Sequence, residues 1–507
     1  MKINFRVLWH WPVLIGLLLG GIALRWINLT NPPLDFHATR QLRSAAIARG
    51  IYYRWTANGL DASRRKTAVE IGKQQAVYEP PLLETIVAVT YLIAGGEYLW
   101  IARIYTTLFW ICGGIALYLL SRRLTTSTPA SLAALAFYLF CPFGVTASRS
   151  FQPDSFMVMW ILWAIYALWR WNEEKNWAWT LGAGSLLGIA ILVKSFALAI
   201  LAPLIGIMII GAGKPIKTIK NKQVWAIIAI CVAIPAYYYL LSIGKRSAGF
   251  FSFWSLSFTN LLVKPRFYLA WLDTAGSVVG KSTVFISLAS CLLLPGRGKQ
   301  LTIGFWLGYI LFGLLTPYQF STHDYYHLIL IPIVAVSLTS VFTTISVQVQ
   351  QQKRIWQVLF LFVLLAYLGY QSLLVRNDLV SNDFHEEIKG WIQMGQEIPR
   401  DGRIIALTHD YGLRLAYYGL LHVDLWPYTA DFQLEALRNA NQNGGQLQEN
   451  EFKEFFLSRI EGHEYFLVTH FGELEAQPLL KTMLYEHYPI VKQGDGYVLF
   501  DLTNPLP

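Results

Sequence analysis

The sequence predicts a mostly α, polytopic membrane protein of about 11–13 transmembrane helices with a C-terminal soluble α/β domain. Two observations predict this. The chain of 507 residues is 54% hydrophobic and only 14% charged, whereas ordinary soluble domains carry about 25% charge. Apolar runs approaching or exceeding the length needed to cross a bilayer also recur from residue 8 to 375, separated by short basic loops, before the composition turns to mixed charge.

The candidate spans are 8–29, 99–120, 130–148, 154–170, 177–193, 195–212, 223–243, 281–296, 301–316, 327–347 and 354–375. Leu8–Leu29 exceeds a signal-peptide core and lacks a small-residue cleavage site, so it reads as a retained anchor. The run 81–96 carries Glu84 and is barely long enough to cross, so it reads as juxtamembrane or re-entrant. With that reading the loops "SRRLTTST", "RWNEEKNW", "GKPIKTIKNK", "PGRGKQ" and "QQQKR" share one side, and their density of Lys and Arg makes it the inside. Loops 30–80, 244–280 and 317–326 then face out, together with the tail. The expectation is a multi-pass protein of the cell membrane, with residues 1–375 as the membrane domain and 376–507 as a soluble extracytoplasmic domain.

In the tail, "DGRIIALTHD" reads as a turn and buried strand, "YGLRLAYYGL" as a helix behind it, "GHEYFLVTH" as a second strand and "GDGYVLFDL" as a terminal one. His409 and Asp410 end the first strand, where α/β sheets often bind ligands. "NANQNGGQLQENE" is a polar loop. Cys112, Cys141, Cys231 and Cys291 all fall in apolar runs and suggest neither disulfides nor a metal framework. The net charge of +10 comes without an aromatic-basic RNA-binding motif, so no nucleic-acid partner is expected.

Unusual polar residues gather at the outer boundary. Asp35 and His37 open the first outer loop, Arg40 and Arg43 follow on its helix, and Glu79 closes it before two prolines. "SRSFQPDSF" carries Arg149 and Asp154; Lys194 stands where two spans meet; Lys264 and Arg266 flank Pro265; "FSTHDYYH" carries His323, Tyr325, Tyr326 and His327. Each has an ordinary structural reading. Pro153–Asp154 is a good helix start, the tyrosines suit an interface, Lys194 can snorkel, and His323 with His327 lacks a third metal ligand. Exported basic residues, including Lys245 and Arg246, run against the positive-inside rule, and a phosphate ligand would give them a purpose.

The succession resembles the GT-C-fold glycosyltransferases that use polyprenyl-phosphate sugars, in particular the protein O-mannosyltransferase and lipid A aminoarabinose-transferase group. The resemblance rests on an acid before an "AAIARG" helix, then "EPPLLE", "ARIYTTLFWICGGIALYLLSRRL", "SRSFQPD", "GIAILVKSFALAILAP" and "HDYYHLILIP", and it covers roughly residues 1–375. Relatives commonly carry an adjacent Asp-Glu pair, whereas Asp35 is followed here by Phe36 and His37.

The resemblance implies inverting transfer from a polyprenyl-phosphate-linked donor to a hydroxyl of a glycan, lipid or protein acceptor, with the membrane lipid as a further partner. It implies Asp35 as the base, with Glu79 and Asp154 as the alternative carboxylates. Arg149, Lys194, Lys264 and Arg266 would meet the leaving phosphate, and His37, Arg40, Arg43, His323, Tyr325 and Tyr326 would line the substrate site. No cofactor is firmly implied, although Asp35, Asp154 and His323 leave room for a divalent cation. The competing classes are a lipid-linked sugar transporter or flippase, for which internal repeats are wanting, and a polysaccharide ligase or polymerase.

Overall fold

A computed structural model describes residues 10–75, 78–210, 220–242, 249, 252–399, 402–438 and 448–506. Lys245, Arg246 and most of the polar loop at 439–451 lie outside the described residues. The chain forms two compact units, one of residues 1–29, 77–83 and 100–382 and the other of 30–76, 84–99 and 383–507.

The first unit is helical. Among the described residues, five helices are long and apolar enough to cross a membrane: Trp100–Thr125, Lys222–Leu241, Gly296–Leu315, Asp324–Gln350 and Arg354–Glu397. Two bent pairs bring the number to 7, and shorter apolar helices include His10–Arg25, Trp177–Val193 and Ala197–Ile210. The first bend, of 59°, separates Thr128–Phe140 from Pro142–Arg149. Pro142 lacks an N–H and bars helical geometry at Cys141, which stands at φ −57°, ψ 120°. The carbonyls this releases find buried donors: Tyr138 accepts from the Trp110 indole at 3.3 Å and Leu139 from Arg25 at 2.9 Å. Arg25 also donates to Ser148 Oγ at 2.7 Å and to the Gly21 carbonyl at 3.0 Å, so the one charge in the first span braces a broken helix.

The second bend, of 91°, falls at Gly280 between Pro265–Val279 and Lys281–Leu293. Gly280 has φ 84°, open to glycine at little cost. Within the expected outer loop 244–280, whose residues 242–271 read as an amphipathic segment, the structure forms the amphipathic helix Pro265–Val279, with Phe267, Ala275, Val278 and Val279 buried. Glycine pairs set two helix contacts. A Cβ on Gly304 or Gly308 would lie 2.8 Å from Leu204 Cα or 2.0 Å from the Ile200 carbonyl oxygen. Gly184 and Gly188 similarly admit Ile230 and Ile234. Both pairs are Gly-xxx-Gly, which lets helix backbones approach closely in lipid.

The second unit contains the helices Ala38–Trp55, Ala62–Gln74, most of Leu82–Ala94 and the C-terminal sheet. Leu82–Ala94 has 13 residues, or about 20 Å against a bilayer core of about 30 Å. The sheet has the order β2-β1-β3-β5-β4, with β1 Ile404–Leu407, β2 Asp424–Leu425, β3 Tyr465–Val468, β4 Ile490–Gly494 and β5 Tyr497–Asp501. β1 is parallel to β2 and β3, whereas β5 is antiparallel to β3 and β4. Ile404 and Ala406 pack with Trp391 and Met394 on one face, and Ile405 and Leu407 with Trp426 and Phe456 on the other. Burial on both faces explains why β1, β3 and β5 read as continuous apolar runs. The run at 411–420 is helical but irregular, a 3-10 turn at His409–Gly412 leading into a π-helical turn at Leu415–Gly419.

Candidate active site

In the first unit, two helices of opposite direction bring a carboxylate and an ammonium together. The helix Asp154–Glu174 begins after Pro153, and Trp177–Val193 ends at Lys194, whose N–H caps it on the Ala190 carbonyl at 3.2 Å. Lys194 Nζ donates to Asp154 Oδ1 at 2.7 Å, with the side chains 4% and 7% exposed. The same ammonium lies 5.5 Å from the centre of the Tyr326 ring. His323 packs against Tyr325 and Tyr326, with ring centres 5.4 and 6.3 Å apart. Five sequence candidates (Asp154, Lys194, His323, Tyr325 and Tyr326) thus form one cluster.

His327 takes no part as a ligand. Its Nδ1 is hydrogen-bonded to the Tyr309 hydroxyl at 2.5 Å and its Nε2 to the Phe320 carbonyl at 2.9 Å, so both ring nitrogens are engaged. Among the described residues no group of three or more His, Cys, Asp or Glu is arranged to hold a metal ion. Arg149 is buried and donates to the Asn28 carbonyl at 2.9 Å, an oxygen that Arg103 also reaches at 3.1 Å. Asn28 presents that carbonyl from a left-handed backbone, φ 49°. Glu79 is half-buried in the turn before Pro80 and Pro81. Lys264 and Arg266 are exposed at the start of Pro265–Val279. Cations are unfavourable at a helix N-terminus unless an anion is also present.

In the second unit, Asp35 is half-buried and its Oδ1 accepts from Gln41 Nε2 at 3.1 Å. His37, at φ 47°, ψ 65°, turns the chain into the helix Ala38–Trp55, which carries Arg40 and Arg43, both half-buried. One turn along from Gln41, Ser44 Oγ donates to Glu84 Oε1 at 2.8 Å. Residues three apart share a helix face, so that face holds two carboxylates. Glu84 is buried, and its place in "PLLETIVAV", an acid in an apolar run, was the signal for it.

Farther along, Arg49 pairs with Glu97 at 2.9 Å and lies 3.5 Å over the Tyr417 ring; the Tyr417 hydroxyl also donates to Glu97. Burial works against the Arg49 charge, but Glu97 and Tyr417 outweigh it and hold the guanidinium above its ordinary pKa. This clamp accounts for Arg49 without a ligand.

Residues 78–239, which include Glu79, Arg149, Asp154 and Lys194, match the family described as dolichyl-phosphate-mannose-protein mannosyltransferase. No curated protein sequence matches the chain. Among solved structures, ArnT from Cupriavidus metallidurans bound to undecaprenyl phosphate aligns at 13% identity and a TM-score of 0.56, over 96% of this chain and 97% of that one. AglB, the archaeal oligosaccharyltransferase of Archaeoglobus fulgidus in complex with an inhibitory peptide and a dolichol-phosphate, aligns at 11% identity and 0.56, over 98% and 74%. The arabinofuranosyltransferase AftD from Mycobacteria aligns at 15% identity and 0.50, over 96% and 41%. All three are GT-C-fold glycosyltransferases, and this chain, with its apolar helices and small C-terminal sheet, is a membrane protein of the GT-C fold.

Proposed function

We propose that the protein transfers a sugar, with inversion, from a polyprenyl-phosphate donor to an acceptor hydroxyl at the extracytoplasmic membrane face. The buried Lys194–Asp154 pair beside Tyr326 carries this reading. A desolvated ammonium at the ends of two apolar helices is suited to the phosphate of a lipid whose chain lies among those helices. The fold supports it, since matched structures hold undecaprenyl phosphate or dolichol-phosphate.

In the proposed reaction the acceptor oxygen attacks the anomeric carbon opposite the phosphate, the carbon–oxygen bond to phosphate breaks, and polyprenyl phosphate leaves. Asp35, held by Gln41, takes the hydroxyl proton. Lys194, Arg149, Lys264 and Arg266 meet the charge developing on the phosphate, with Asp154 orienting Lys194. His37, Arg40, Arg43, His323, Tyr325 and Tyr326 complete the substrate site, and residues 376–507 form an extracytoplasmic domain. Purified protein given labelled polyprenyl-phosphate sugars should move label to an acceptor, and Asp35→Asn should slow this by on the order of 100-fold while donor binding persists. Near-normal turnover in folded Asp35→Asn would remove Asp35 as the base and pass that role to Glu79 or Asp154.

A further inference from the structure

The carboxyl ends of β1 and β3 carry the same dipeptide. β1 runs into Thr408–His409 and β3 into Thr469–His470, and the parallel register sets Leu407 beside Val468. Threonine therefore meets threonine and histidine meets histidine. The Thr469 hydroxyl donates to that of Thr408 at 2.7 Å, and the imidazoles stack with centres 4.1 Å apart and planes 4° from parallel. The chain passes from β1 to β2 on one side, then from β2 to β3 on the other. Open α/β sheets take ligands in the crevice at such a reversal.

The chemistry of the pair narrows the ligand. His470 Nδ1 accepts the Glu473 N–H at 3.2 Å, which leaves its proton on Nε2. Burial, then His470 and Arg414, pushes His409 down to about 4. The His409 ring is therefore uncharged near neutral pH, and His470 turns a bare Nδ1 to a backbone N–H, which makes a poor anion site. Face-to-face rings also aim their in-plane lone pairs side by side, so they cannot converge on one metal ion at about 2.0–2.1 Å. His409 Nδ1 is buried without a hydrogen-bond partner among the described residues. Past it, Asp410 and Tyr411 both take left-handed backbone, φ 51° and 52°, uncommon outside glycine and a mark of functional segments. That turn lays Tyr411, 43% exposed, against Tyr428 with ring centres 4.7 Å apart. Asp410 accepts from the Thr39 hydroxyl at 2.9 Å, which ties the turn to the segment bearing Asp35.

We infer that the His409–His470 pair and the Tyr411 ring form a binding site for an uncharged sugar of the acceptor. Neutral imidazoles supply both donors and acceptors, as vicinal hydroxyls require, and the exposed ring offers an apolar face to sugar C–H groups. Naming the sugar as the acceptor's rests on the proposed transfer; the binding itself does not. The test is saturation-transfer NMR on the full-length protein in detergent, using methyl glycosides of mannose, glucose, galactose and arabinose as probes. At least one glycoside should receive saturation. Tyr411→Ala should weaken its binding by about 10-fold or more, and Tyr411→Phe, which keeps the ring, should retain it. Binding by none of the glycosides, or equal binding by wild type and Tyr411→Ala, would overturn the site. Intact glycoside binding without transfer from any polyprenyl donor would count against the proposed reaction and leave this site standing.

Discussion

Replacing both members of the Asp154–Lys194 pair separates its structural worth from its chemistry. The contact is 2.7 Å long and its side chains are 4% and 7% exposed, so solvent screens it little. Removing one partner of such a pair costs about 3–5 kcal/mol, because the other charge stays buried, whereas exchanging both for apolar residues of similar volume is often neutral or stabilising by about 1–4 kcal/mol. Lys194→Met and Asp154→Leu should each destabilise the protein by about 3–5 kcal/mol, and the double variant should return to within about 1 kcal/mol of wild type. Denaturation in detergent measures these three values. Activity should part from stability: the double variant lacks the ammonium proposed to hold the phosphate, and a charge-assisted phosphate contact contributes about 1.5–3 kcal/mol, or about 10- to 150-fold in affinity. Donor affinity should therefore stay depressed in the restored fold. A stable double variant with wild-type donor affinity and turnover would refute the phosphate role and leave the pair as a helix staple.

Two further outcomes concern the second unit. Arg49→Lys keeps the charge but loses the planar stack on Tyr417 and the guanidinium geometry toward Glu97; with Glu97→Gln it should give a coupling energy of about 1.5–3 kcal/mol in a double-mutant cycle, and coupling near zero would show that the clamp is only a surface ion pair. His409 has its pKa lowered from 6.5 to about 4 by burial, then by His470 and Arg414, so the unfolded chain binds a proton that the folded one refuses; its stabilisation is complete above about pH 6.5 and is lost as pH falls toward about 4, by about 1–2 kcal/mol once solvent screening of this half-buried ring is allowed for. Denaturation of wild type and His409→Gln across that window checks the sign, and a constant difference between them would refute it.

What could be read from the sequence follows from how far apart the deciding residues stand. The span 177–193 matches the helix Trp177–Val193 because its limits are local: Asn176 caps its start by accepting from the Trp179 N–H, and apolar residues stop at Lys194. β1, β3 and β5 were readable for the same reason, since both faces of each are covered. β2 has only two residues, and β4 leaves Ile490 and Val491 exposed, so neither makes a distinctive pattern. The segment 242–271 reads as amphipathic, but the limits of the helix Pro265–Val279 are not legible, because its apolar residues cover one face only and fall short of a span.

The candidate site shows the same division more sharply. Asp154 and Lys194 were each conspicuous as charges at the ends of apolar runs, yet nothing local joins residues 40 positions apart. The packing of the helix Asp154–Glu174 against Trp177–Val193 makes that pairing, and no motif in either segment announces it. Arg25 and Arg49 teach the converse. Both are cations set among apolar or aromatic residues, and the Leu139 carbonyl with Ser148 Oγ occupies the first while Glu97 and Tyr417 occupy the second. A buried charge in a membrane protein therefore points to a partner before it points to a substrate. At Lys194 the partner is Asp154, and the proposed phosphate role must be earned against that pairing, which is why the double variant is the decisive experiment and a single substitution is not.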